Sequence, residues 1–133
     1  MMTWNANAQG RFNEMEYGKT QTVFHLNAPS MPKVRIYKDA QGGKPIKTVK
    51  MRALGNNRWE AILKGDLAGR FYTFDMGLGE CPGTFAKAVG VNGNRGAILN
   101  MADTDPEGWS HDRRPALASP ADLVIYELHM RDF

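Results

Sequence analysis

The stretch Arg58-Trp-Glu-Ala-Ile-Leu-Lys-Gly-Asp-Leu-Ala-Gly-Arg-Phe-Tyr-Thr-Phe-Asp-Met76 decides the fold. Trp59, Ala61 and Leu63 share one face of a period-two pattern, and Tyr72, Phe74 and Met76 share one side of a second. Between them Gly65-Asp-Leu-Ala-Gly69 has turn chemistry. Period two over four to eight residues belongs to half-buried strands, so this stretch predicts two strands and the turn that joins them.

Working upstream, the same signature recurs. Gln21 to Leu26 places Phe24 and Leu26 on one face and Val23 and His25 on the other, and Asn27-Ala-Pro29 ends it. From Lys33 to Lys38, Val34 and Ile36 point inward while Lys33, Arg35 and Tyr37 point outward. Ile46 to Leu54 alternates through Val49 and Met51 as a single further strand. Asp39 to Gly43 and Gly55-Asn-Asn57 are the intervening turns. Short strands at regular spacing with turn signals between them predict an all-β chain folded as a β-sandwich.

Downstream, Asn92-Gly93 has the chemistry of a tight turn between Val89/Val91 and Ala97/Ile98/Leu99. Asp103 to Asp122 carries Pro106, Pro115 and Pro120 and has linker composition. The chain then closes on Leu123-Val-Ile-Tyr-Glu-Leu-His-Met-Arg-Asp-Phe133. A run apolar on both faces suits a strand covered on both sides, as in a parallel sheet. Such a strand needs neighbours that the chain does not supply, so it is expected to open a second domain that has been cut away. Its apolar side chains are expected to seek contact and to promote self-association. The expected layout is a leading segment at 1–19, the sandwich at 20–100, a linker at 101–122 and the lone strand at 123–133.

The 133 residues suit one domain, and 42% hydrophobic residues are enough for a core. The net charge is +3, and seven of the 17 Lys and Arg lie between Lys33 and Arg52. Lysines on strand edges block edge-to-edge pairing, which accounts for this cluster without a polyanion. A single-stranded nucleic-acid binder would interleave stacking aromatics with the charge. Tyr37 alone among Lys33, Arg35 and Lys38 does not. The lone Cys81 excludes an internal disulfide and fits a reducing, cytoplasmic compartment. No signal-peptide pattern and no run of membrane-spanning length occurs.

Three motifs imitate sites. Asp103-x-Asp105-x-Glu107-Gly108 resembles the start of a calcium loop, but the closing position is Arg114 and Pro106 stiffens the ring. A capped turn is expected there. Gly90, Gly93 and Gly96 precede neither a Gly-Lys-Ser/Thr nor a helix signal and read as turn glycines. His25, His111 and His129 lack ligand spacing, so neither metal nor cofactor is expected. Trp59, Trp4 and Tyr37 are the candidate platforms for stacking on a sugar ring, with Trp59 read mainly as core.

Several phrases carry a family likeness. Val124-Ile-Tyr-Glu-Leu-His-Met-Arg-Asp-Phe133 closely resembles the first barrel strand of type I pullulanases, the α-1,6-glucan debranching enzymes of the α-amylase clan. Phe85-Ala-Lys-Ala-Val89, Asn92-Gly93 with Arg95-Gly96, Thr104-Asp-Pro-Glu-Gly-Trp109 and Arg114-Pro115 follow the order seen in that family. Phe24-His-Leu-Asn-Ala-Pro29 resembles its Phe-x-x-Trp-Ala-Pro, and Leu67 to Phe74 its Gly-x-x-Tyr-x-Tyr strand. Asn27 stands where Trp is usual, and Gly83-Thr84 replaces an Asp-Pro. The loop Gly77 to Gly83, which carries exposed Trp in glycan-binding members, has no aromatic.

The resemblance implies an immunoglobulin-like sandwich of carbohydrate-binding module family 48, followed by a (β/α)8 barrel. It places the catalytic carboxylates on later strands, so no catalytic residue is expected in this chain. Trp109, Tyr126, Glu127, His129 and Arg131 are implied to pack against or within the barrel, Glu127 and His129 as structural groups rather than a dyad. The expected function is to position that barrel in an enzyme hydrolysing α-1,6 branch points. The alternative is a module that itself binds starch- or glycogen-type α-glucan.

Overall fold

The computed structural model describes residues 13–113, 116, 118–129 and 131, and over them the chain is an all-β sandwich of two antiparallel sheets. The nine strands are β1 (Met15–Glu16), β2 (Gln21–Asn27), β3 (Lys33–Tyr37), β4 (Lys47–Lys50), β5 (Arg52–Gly55), β6 (Arg58–Lys64), β7 (Phe71–Asp75), β8 (Glu80–Cys81) and β9 (Gly96–Ala97). One sheet runs β1-β2-β6-β5. The other runs β4-β3-β7, with β8 and β9 sharing the far edge of β7. Trp4, with the rest of residues 1–12, lies outside the described residues, as do Met130, Asp132 and Phe133.

The alternation of β2, β3, β6 and β7 sorts their side chains as the pattern predicts. Phe24, Leu26, Val34, Ile36, Ala61, Leu63, Tyr72 and Phe74 are all buried and form one core with Met51 and Ile98. Phe24, Tyr72 and Phe74 meet edge to face, with centroids 5.1 to 6.3 Å apart. That geometry sets the positive rim of one ring on the negative face of the next. The tight turn into β6 uses Asn56 and Asn57 at φ 52° and 58°, left-handed backbone that asparagine tolerates better than other non-glycine residues.

Five expectations need correction. The stretch 46–54 is two strands, not one: β4 pairs with β3, whereas β5 pairs with β6 in the other sheet. The crossing occurs at Met51, buried at 3% exposure with its N–H bonded to the Pro32 carbonyl. Alternation within a sheet and across a sheet switch look alike, so periodicity could not reveal the break. Ile46 and Met76 lie just beyond their strands and are exposed.

Met15–Glu16, assigned to the leading segment, pairs with β2 and sends Met15 into the core. Tyr37 points outward as expected yet is buried. Lastly, Leu123 to His129 forms no strand, and Val124, Ile125 and Tyr126 are 97%, 83% and 81% exposed. A strand exists only where neighbours accept its backbone hydrogen bonds, and among the described residues no strand of the sandwich pairs with this segment. Removing residues 123 to 133 is therefore expected to leave the thermal midpoint nearly unchanged and to lower self-association measured by light scattering.

Candidate functional site

The outer face of the second sheet holds a polar network. Arg35 reaches Asp75 at 2.6 Å and Glu80 at 3.0 Å, and the Thr73 hydroxyl donates to Glu80 at 2.6 Å. The Tyr37 hydroxyl also donates to Glu80. The Arg95 guanidinium covers the Tyr37 ring, 3.5 Å from its centroid, while donating to the carbonyls of Asp39 and Gly42 at 2.7 Å. The ring is only 4% exposed, with Arg95 over one face, so it offers no open surface to a sugar. Tyr37 is thus a structural aromatic, which fastens the Asp39–Gly43 turn to the loop before β9.

Asp75 accepts the Gly77 N–H at 2.8 Å, and that bond together with the Arg35 cation holds its carboxyl below the usual range. Burial pushes Glu80 upward, but the hydroxyls of Thr73 and Tyr37 and the charge of Arg35 outweigh it and keep this carboxyl low as well. A carboxylate with a depressed folded-state pKa adds stability above its unfolded pKa, and that stability is lost as pH falls through the folded value. Asp75→Asn is expected to remove part of the acid-side decline in thermal midpoint below about pH 4, the ordinary carboxylate range. Unfolding curves of both proteins across that window check it.

Trp59 is equally committed. It packs against the core from the edge, and its indole N–H donates to the Ala28 carbonyl at 2.9 Å. Trp109 is exposed in a short 3₁₀ turn, and Tyr126, Glu127, His129 and Arg131 are exposed in the C-terminal segment. The imitation calcium loop is a set of capped turns, with Asn100 accepting the Ala102 N–H. Among the described residues no group of three or more His, Cys, Asp or Glu is arranged to hold a metal ion, and no helix is long and apolar enough to cross a membrane.

A half-open groove of about 250 Å³ lies where the two sheets part, beside edge strands β1 and β9. Met15, Glu16 and Tyr17 form one side, Lys87 and Ala88 another, and Ala97, Leu99, Asn100 and Met101 complete it. Glu14 braces it. Its buried carboxylate accepts the N–H groups of Thr84 and Phe85 at 3.1 and 2.8 Å, which ties the segment leading to Lys87 to β1. Burial raises the Glu14 pKa, and those two bonds only partly offset it. The Tyr17 hydroxyl donates to Asp66 at 3.0 Å, and burial together with that carboxylate raises the phenol's pKa. Sequence reasoning missed Glu14 and Tyr17, because neither belongs to a periodic run or a motif.

No family model matches the chain. Individual proteins do. It is 33% identical over 121 residues to pullulanase from Bacillus subtilis (strain 168), covering 88% of this chain and 16% of that one. Apo pullulanase from Paenibacillus barengoltzii superposes with a TM-score of 0.79 at 41% identity, over 89% of this chain and 19% of that chain. This chain is a pullulanase homologue. The pullulanase likeness extends to pullulanase 1, chloroplastic, from Arabidopsis thaliana, 30% identical over 82% of this chain and 13% of the plant protein. The chain therefore spans about a sixth or less of the curated pullulanases it matches. The Paenibacillus pullulanase has also been solved in complex with maltohexaose and α-cyclodextrin. The matched part of the Paenibacillus pullulanase shares the all-β architecture described above.

Proposed function

We propose that this chain is the non-catalytic N-terminal β-sandwich of a pullulanase-type glycoside hydrolase, which hydrolyses α-1,6 branch points in α-glucans, and that it carries and positions the catalytic barrel. The observation that carries the reading is the coverage: the likeness runs through 88% of this chain but only 16% of the bacterial relative. Residues 123 to 133 are then the first barrel strand, with 101 to 122 as the linker and 20 to 100 as a sandwich of the module-48 type. Exposure of the apolar run at 123–126 supports it, because burying such a run recovers about 25 cal/mol per Å² once the barrel is present.

A retaining glycosidase needs two carboxylates about 5–5.5 Å apart flanking the bond. The groove beside β1 is lined by one carboxylate, Glu16, where that chemistry needs two. The purified chain is expected to release no reducing sugar from pullulan, and Glu127→Gln is expected to change nothing. Turnover that co-purifies with the chain and vanishes in that variant would defeat the reading. Affinity electrophoresis in pullulan, repeated with DNA, checks the alternative of a free-standing binding module. The Paenibacillus complex with maltohexaose favours glucan over nucleic acid as its ligand.

A further inference from the structure

We propose that Asn92 is a self-modification site, which closes on the Gly93 nitrogen to a succinimide and opens with water to an isoaspartyl or aspartyl residue, at a rate governed by the Arg95 clamp. Three exposed asparagines hold left-handed backbone, Asn56, Asn57 and Asn92, at φ 52°, 58° and 54°. Only Asn92 is followed by glycine. The attacking atom is the backbone nitrogen of the next residue, and a side chain on that residue crowds it. Asn57 and Arg58 carry one, and Gly93 does not. Base from the solvent removes the Gly93 N–H proton, the nitrogen bonds to the Asn92 Cγ, and the Cγ–Nδ2 bond breaks as ammonia leaves. Water then cleaves one of the two imide C–N bonds. Cleavage at Cγ restores the main chain with an aspartate, and cleavage at the backbone carbonyl leaves the chain running through Cβ and Cγ. Nothing is oxidised or reduced, and water is the only co-reactant.

The fold meets half of the geometry that closure requires. Cβ and the Gly93 nitrogen must eclipse about the Cα–C bond, as at the first central residue of a type II′ turn, with φ about +60° and ψ about −120°. Asn92 already has φ 54°, but its ψ is 21°, so ψ must turn by roughly 140°. Within the loop tip that turn is opposed by the Gly93 N–H donating to the Gly90 carbonyl at 3.1 Å and the Asn94 N–H donating to Val91 at 3.3 Å. Bonds spanning three residues have poor geometry and resist weakly. The firmer hold lies at the loop's base. The Gly90 N–H donates to the Arg95 carbonyl at 2.8 Å, and the Arg95 guanidinium donates to the carbonyls of Asp39 and Gly42 at 2.7 Å across the Tyr37 ring. Arg95 therefore ties the 91–94 tip down through main chain and side chain alike, and its release frees ψ of Asn92. The isoaspartyl product adds a carbon to the main chain inside the Val89–Gly96 bridge, and either product adds one negative charge.

The test is incubation of the whole chain in mildly alkaline buffer, followed by peptide mass spectrometry. The mass gain from exchange of an amide NH2 for OH, with isoaspartyl fragmentation, is expected at Asn92 ahead of Asn56, Asn57 and Asn94. Arg95→Ala is expected to convert Asn92 about tenfold faster, the factor for ~1.4 kcal/mol of loop closure. Arg95→Lys keeps the charge but lacks the planar fork that reaches two carbonyls, so its rate should fall between. Ile62→Ser, an exposed position on β6 away from the loop, is expected to convert at the parent rate. Circular dichroism establishes that each variant is folded, and should Arg95→Ala fail to fold, Arg95→Lys decides. Faster conversion at any other asparagine overturns the site. Conversion at the parent rate in the folded Arg95 variants overturns the clamp.

Discussion

Gly96→Ala is expected to destabilise the chain by at least the ~1–3 kcal/mol typical of an overpacked core. Gly96 is buried in β9, paired with Tyr72 of β7. A Cβ there would lie 2.3 Å from the Tyr72 Cζ, 2.4 Å from its Cε1 and 2.7 Å from its hydroxyl oxygen. Carbon atoms do not approach so closely, so either β9 or the ring must move. The ring has nowhere to go, since Phe24 and Phe74 hold it at 5.1 and 5.5 Å. β9 cannot lift away without losing its pairing and unseating Ile98, which is fully buried next door. Overpacking a core costs about 1–3 kcal/mol and occasionally more, and here the overlap is with a ring that cannot rotate aside. Circular dichroism melts measure the loss. Tyr72→Leu in the same chain should recover part of it, while Tyr72→Phe should not, because the clash is with the ring. A Gly96→Ala protein melting like the parent would show that β9 stands further from β7 than described.

Phe24→Ala carries the second large effect, an expected loss of about 3–5 kcal/mol, the range for aromatic-to-alanine changes in cores. Phe24 is fully buried, and it joins the sheets: it lies on β2 yet packs edge to face with Tyr72 and Phe74 of the opposite sheet. Both partners would face the cavity, and neither sheet can close on it while β2 stays registered against all seven residues of β6. For a domain with about 5–15 kcal/mol in total, such a loss removes much of the margin. Urea unfolding should show a lower midpoint at an unchanged slope. A midpoint shift worth under ~1 kcal/mol would mean that the sheets collapse on the vacancy, which the seven-residue register of β2 against β6 opposes.

Strand positions and faces at β2, β3, β6 and β7 were legible in the sequence because period two is a local property. A residue faces the core or the solvent according to its parity, and Phe24, Val34, Leu63 and Tyr72 obey that parity. The turns at Gly55–Asn57 and Asn92-Gly93 were legible too, since left-handed backbone selects for asparagine and glycine. So was the pullulanase likeness, carried by phrases such as Phe85-Ala-Lys-Ala-Val89.

Only the tertiary structure decided which sheet each strand joins. The exchange at Met51 is invisible to a pattern that reads identically on either side of it. Cover of Tyr37 by Arg95, 58 positions away in sequence, likewise depended on which loops the fold brings together. The groove had the same origin. Glu14 and Tyr17 sit in a polar stretch with no period, and what makes them functional candidates is contact with Thr84, Phe85 and Asp66. Parity and turn chemistry act through neighbours along the chain. Sheet membership, ring accessibility and groove walls are set by contacts between distant residues, and the amino-acid order states those only after the chain has closed on itself.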